Sequence, residues 1–73
     1  MLWSATMPDG RVLQVSQYGS AYMWTLCAGN GCCEVVGICA DEYGARLRAA
    51  LAWRDSTKKT IPKTILDQTK RAA

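Results

Sequence analysis

Apolar and polar residues alternate with a period of two from Leu2 to Ile38, and the pattern then changes to a period near 3.6. Leu2 to Met7 places Trp3, Ala5 and Met7 on one side of a first strand. Pro8-Asp9-Gly10 follows as a turn, because proline fixes φ, Asp binds its own backbone and Gly accepts positive φ. Arg11 to Gln17 is a second strand, with Leu13 and Val15 on one face and Val12, Gln14 and Ser16 on the other. After the Tyr18-Gly19-Ser20 turn, Ala21 to Cys27 (AYMWTLC) is the strongest strand by propensity, with Tyr22, Trp24 and Leu26 on one face. Ala28-Gly29-Asn30-Gly31 is a hairpin loop, since Asn-Gly tolerates left-handed geometry. Cys32 to Ile38 is a fourth strand, and Gly37 marks a bulge or a close packing point in it.

Ala40 to Arg54 is then expected to be helical, with Asp41 as N-cap and Glu42 suited to the positive end of the dipole. Tyr43, Leu47, Ala50, Leu51 and Arg54 form one face, Ala49 and Trp53 widen it, and Arg46 and Arg48 point to water. Beyond residue 54 the pattern fades into DSTKKTIPKTILDQTKRAA, where Ile61, Ile65 and Leu66 are the large apolar groups. Pro62 could open a short helix through Gln68, but one that short is marginal alone. The expected architecture is α+β: an antiparallel meander of three or four strands with one helix packed on a face. A folded domain over residues 1–54 is followed by a flexible basic tail over 55–73.

Charge sharpens that division. Residues 1–53 carry Arg11, Arg46 and Arg48 against Asp9, Glu34, Asp41 and Glu42, a net −1. Residues 54–73 carry Arg54, Lys58, Lys59, Lys63, Lys70 and Arg71 against Asp55 and Asp67, a net +4. The tail is therefore either a solvated segment or an arm that seeks acidic protein or nucleic acid.

Candidate chemistry is sparse. A chain of 73 residues holds one small domain, and histidine is absent, which removes the commonest general base and metal ligand. The serines lack a base, Asp41-Glu42 is explained by helix capping, and no glycine pattern fits a phosphate loop. No enzymatic activity and no cofactor are expected. The cysteines at 27, 32, 33 and 39 follow C-x4-C-C-x5-C, not the C-x2-C of zinc knuckles, and read as reduced thiols without a metal. No apolar run reaches the ~20 residues of a membrane span, and Met1-Leu2-Trp3-Ser4 lacks the regions of a signal peptide. Trp24 and Trp53 are expected in the core. Trp3, Tyr18 and Tyr22 remain open to surface roles, including stacking of unpaired bases.

In its length, strand meander, single helix and basic Thr/Lys-rich C-terminal segment, the chain resembles the small RNA-polymerase-binding transcription regulators of lytic Xanthomonas phages. The resemblance spans the full length in organisation. It implies a phage protein, expected as a monomer in the host bacterial cytoplasm, that binds the N-terminal region of the polymerase largest subunit. It further implies inhibition of promoter engagement by the σ-holoenzyme and promotion of antitermination, by occlusion and without bond breaking. On that reading Trp3, Val12, Tyr18 and Tyr22 are candidate anchors, since interface energy concentrates in aromatics. Arg54, Lys58, Lys59 and Lys63 would reach toward acidic protein, nascent RNA or DNA. Two alternatives are an inhibitor of another host or defence complex, in the anti-CRISPR style, and a small single-strand nucleic-acid-binding module.

Overall fold

The computed structural model describes residues 1–71. It contains strands β1 (Trp3–Thr6), β2 (Val12–Tyr18), β3 (Ala21–Cys27) and β4 (Cys33–Cys39), followed by helices α1 (Glu42–Thr57) and α2 (Lys63–Gln68). The strands form one antiparallel sheet in the order β1-β2-β3-β4. This is the expected α+β meander, and each strand lies within a residue or two of its sequence reading.

Register decides which residues meet. Trp3 faces Val15, which faces Trp24, which faces Gly37. Ala5, Leu13, Leu26 and Val35 make the next row on the same side. Leu13, Val15 and Leu26 are fully buried there, and this is the side that α1 covers. Gly37 is a close packing point: a Cβ on it would lie 2.4 Å from the Trp24 ring, so a side chain would displace the indole.

Helix α1 begins as expected, with the Asp41 carboxylate accepting from the Gly44 amide at 2.9 Å. It runs three residues past Arg54 and ends at Lys58, whose left-handed backbone lets its N–H reach the Arg54 carbonyl. Its inward face differs from the expected one. Ala45, Ala49, Ala50 and Trp53 are buried, whereas Leu47 is exposed. The small alanines let the helix approach the sheet closely, and Trp53 fills the wider space at its far end. Arg46, expected in water, lies beside Trp3 and Tyr43 instead.

The segment after α1 is also not a loose tail. Ile61 and Ile65 are 5% and 7% exposed and belong to the same cluster as Met7, Leu13, Leu26 and Trp53. The Cα radius of gyration is 11.3 Å, against about 11 Å for a compact chain of this length. The physical reason is that these two large apolar side chains flank Pro62, the N-cap of α2, and bury apolar area against the core that they would otherwise leave in water. The folded unit therefore extends beyond residue 54 and includes α2. Residues 72–73 of the expected tail lie outside the described residues.

The cysteines depart from the reduced reading as well. Cys27 and Cys33 face each other across β3 and β4 and form a disulfide, leaving Cys32 and Cys39 free. Successive strand residues point to opposite faces, so only one of the adjacent Cys32 and Cys33 can face Cys27. A bridge over a sequence separation of 6 closes a short loop, for which chain entropy gives about 2 kcal/mol.

If the post-α1 segment is part of the core, Ile65→Ala should lower unfolding free energy by about 2–4 kcal/mol, while the exposed Lys63→Ala should stay within about 0.5 kcal/mol. Urea denaturation of the two variants measures the difference.

Candidate functional site

The polar clamps of the fold already occupy several residues that the sequence offers for binding. The Trp3 indole donates to the Gln68 side-chain carbonyl at 2.9 Å. The Arg46 guanidinium lies 5.2 Å from the Trp3 ring centroid and 4.7 Å from that of Tyr43. Arg46 also pairs with Glu42 and donates to the Gln68 backbone carbonyl. Arg71 pairs with Asp41 and lies 5.3 Å from the Tyr43 ring centroid. These contacts tie β1, the start of α1 and the end of α2 together. Trp3 is thus a half-buried joint between β1 and α2, and a poor free anchor.

A second clamp sits at the opposite end of α1. The Trp53 indole donates to the Asp9 carboxylate at 3.0 Å, and Arg11 donates to the Ser56 hydroxyl at 2.7 Å. Arg11 also approaches Asp9 and Glu34, at 3.5 and 3.4 Å. Partial burial pushes the Asp9 carboxyl up, but the Trp53 and Arg11 hydrogen bonds and the Arg11 charge outweigh it and hold it below the ordinary value. At the other end, the Gly44 amide and then the Arg71 charge hold Asp41 below its ordinary value, against a partial desolvation.

The proposed anchors and cations do not converge. Tyr18 is exposed at the end of β2 opposite Ala21, and half-buried Tyr22 faces Cys39 nearby. This end of the sheet feeds the start of α1. Arg54, Lys58 and Lys59 lie at the other end of α1, about 20 Å away along a helix of this length. Arg54 is exposed and already approaches Asp55 at 3.4 Å. Lys58, Lys59 and Lys63 are exposed, bracket the α1–α2 connection and have no ion-pair partner among the described residues. They form a small basic corner.

Val12 points to the sheet face that α1 leaves open. Sheet parity puts Gln14, Ser16, Tyr18, Met23, Thr25, Val36 and Ile38 on that same face. Its β4 side is apolar: Val36 is 56% and Ile38 51% exposed, with Met23 directly opposite Ile38. Exposed aliphatic side chains clustered on one face make it the candidate interaction surface of the described residues. Strand β4 is also a sheet edge, without proline or lysine to block pairing. Val36 and Ile38 are not among the anchors expected from the sequence. The signal was available, because CEVVGIC carries apolar residues on both parities and a sheet covered on one side can bury only one.

Among the described residues no pocket is present, and no group of three or more His, Cys, Asp and Glu is placed to hold a metal. No helix among them is long and apolar enough to cross a membrane. Comparison with known proteins finds no matching family model, no matching curated protein and no matching solved structure.

The lowered carboxyls set an acid limit on stability. A group depressed in the folded state contributes above its unfolded pKa and loses that contribution as pH falls through its folded pKa. Stability is therefore expected to be flat near pH 5–7 and to fall below about pH 4. Asp9→Asn should lower stability at pH 7 and flatten the acid limb, as measured by urea midpoints at pH 3, 4, 5 and 7.

Proposed function

We propose that this chain is a non-catalytic, monomeric binding protein that docks on bacterial RNA polymerase in the host cytoplasm. It would hinder promoter engagement by the σ-holoenzyme and favour readthrough of terminators. The choice of polymerase, and of the N-terminal region of its largest subunit, comes from the resemblance in organisation to the phage regulators. The observation that supports a docking protein is the open sheet face, where Val36 and Ile38 stand exposed beside Val12, Met23 and Tyr18.

The physical mechanism is occlusion. Val36 and Ile38 are held by the β3–β4 ladder, so little backbone ordering is needed when a partner covers them. Val36 and Ile38 are 56% and 51% exposed, so covering them contributes roughly 1 kcal/mol each, about half of full burial. Tyr18 adds an amphipathic rim contact. Of the anchors taken from the sequence, Val12 and Tyr18 remain on this face, while Trp3 and Tyr22 belong to the other side of the sheet. The basic corner of Lys58, Lys59 and Lys63 lies away from it. It serves as a separate contact to acidic protein surface or nascent nucleic acid, and that contact is the salt-sensitive one.

Binding of the purified chain to bacterial core polymerase, followed by surface plasmon resonance, tests this reading. Replacing both Val36 and Ile38 by Lys should weaken binding by about a hundredfold or more, with the far-ultraviolet circular dichroism unchanged. Alanine at Lys58, Lys59 and Lys63 should weaken binding less and reduce its salt dependence. No binding by the unaltered chain, or equal binding by the Val36/Ile38 variant, would contradict the proposal.

A further inference from the structure

Three of the four cysteines meet at one end of the sheet. Cys27 is buried at the end of β3 and is joined to Cys33, which is exposed at the start of β4. Cys32 is the chain neighbour of Cys33 and carries an exposed free thiol. The residue next to the disulfide along the chain therefore carries a free thiol, and the Cys33 end of the bridge is open to solvent. Cys39 is half-buried at the far end of β4, six residues on from Cys33 and some 20 Å away by strand rise, so it stands apart.

The strand register at this end is already offset by one residue. Pairing is regular from Tyr22–Cys39 to Leu26–Val35, and then shifts so that Cys27 faces Cys33 instead of Glu34. The Ala28 amide donates to the Cys32 carbonyl at 2.7 Å, and the Cys32 amide donates to the Asn30 side chain at 3.0 Å. Gly31, with φ +92°, turns the chain just before Cys32. A bulge already absorbs one unmatched residue here, and it borders a glycine turn and not a packed strand.

We infer that Cys27, Cys32 and Cys33 form an intramolecular thiol–disulfide exchange site. The Cys32 thiolate attacks the Cys27 sulfur. The Cys27–Cys33 bond breaks, a Cys27–Cys32 bond forms, and Cys33 leaves as a thiolate that takes up the proton Cys32 released. One thiol and one disulfide stand on each side of the step, so no oxidant or reductant is consumed. Attack at the Cys33 sulfur would instead join adjacent residues, whose geometry opposes a relaxed disulfide. Thiolate is the attacking species, so exchange quickens as pH rises. Moving the bridge by one residue changes which β4 residue faces Cys27, and so re-aims Glu34, which in the Cys27–Cys33 form lies 3.4 Å from Arg11. The hairpin end thus has two covalent settings, while the ladder from Leu26 to Tyr22 is common to both. This inference is independent of the polymerase proposal.

The test is a short pulse of N-ethylmaleimide on the native, unreduced chain at pH 8, with acid quench, proteolysis and fragment sequencing by mass spectrometry. Adduct is expected on both Cys32 and Cys33, with Cys39 as the reference thiol. In Cys32→Ser, the Cys33 adduct should fall at least about tenfold, because its release depends on the attacking thiol. Adduct confined to Cys32 and Cys39 would overturn the inference by showing a static bridge. Adduct on all four cysteines would overturn it by showing no bridge, and a Cys33 adduct that persists in Cys32→Ser would show that Cys32 is not the nucleophile.

Discussion

A four-stranded sheet in water must hide one face, and in this chain a single helix is too narrow to hide it alone. The interaction on which the structure depends is the joint cover of Met7, Leu13 and Leu26 by the alanine side of α1, by Trp53, and by Ile61 and Ile65. Alanine at 45, 49 and 50 brings the helix close to the strands, and α1 packs on β2, β3 and β4 rather than on β1. The chain then turns at Lys58 and runs back, so that Ile61 and Ile65 join Met7 in the core and α2 ends at Trp3. In a domain of this size a few buried side chains decide whether the net stability is positive. Ile61 and Ile65 are for that reason part of the fold and not an appendage to it.

Polar contacts fix the geometry that this cover requires. Each end of α1 has its own clamp: Arg46 with Trp3, Tyr43, Glu42 and Gln68 near the start, and Trp53 with Asp9 near the finish. Both join residues distant in sequence, and both use a cation or an indole whose flat side also packs. Such groups contribute through contact area as well as charge. They also consume charges that would otherwise be free. Arg46, Arg54 and Arg71 each face a carboxylate, so the positive excess of the C-terminal half is spread over the surface and does not project as an arm.

The strands were legible because alternation and turn chemistry agree at every step, from Pro8-Asp9-Gly10 to Asn30-Gly31. The existence of the helix and its Asp41 cap were equally plain. Its inward face was legible in Ala49, Ala50 and Trp53 but not in full, because hydrophobicity favours Leu47 while packing distance favours Ala45, and distance won. The role of residues 61–69 was hidden by composition: two isoleucines among lysines and threonines look like a tail until the gap they fill is known. The Cys27–Cys33 pairing depended on a one-residue register shift that no spacing rule supplies. For the candidate surface, Val12 and Tyr18 were found, whereas Val36 and Ile38 were not singled out, because CEVVGIC carries apolar residues on both parities and alternation alone does not say which side is covered. Trp3 was offered as a surface anchor because its partner, Gln68, lies sixty-five positions away.

The open face and the basic corner are what remains once packing has claimed its residues, and both the hydrophobic core and the basic corner require the C-terminal segment to be docked. Native-state hydrogen exchange across the whole chain tests that claim most directly. The amides of Ile65, Leu66 and Thr69, which bond to Pro62 and Leu66 carbonyls, should exchange at least about a hundredfold more slowly than in an unstructured peptide. Exchange at these amides as fast as in an unfolded peptide, with β2, β3 and α1 still protected, would contradict the account.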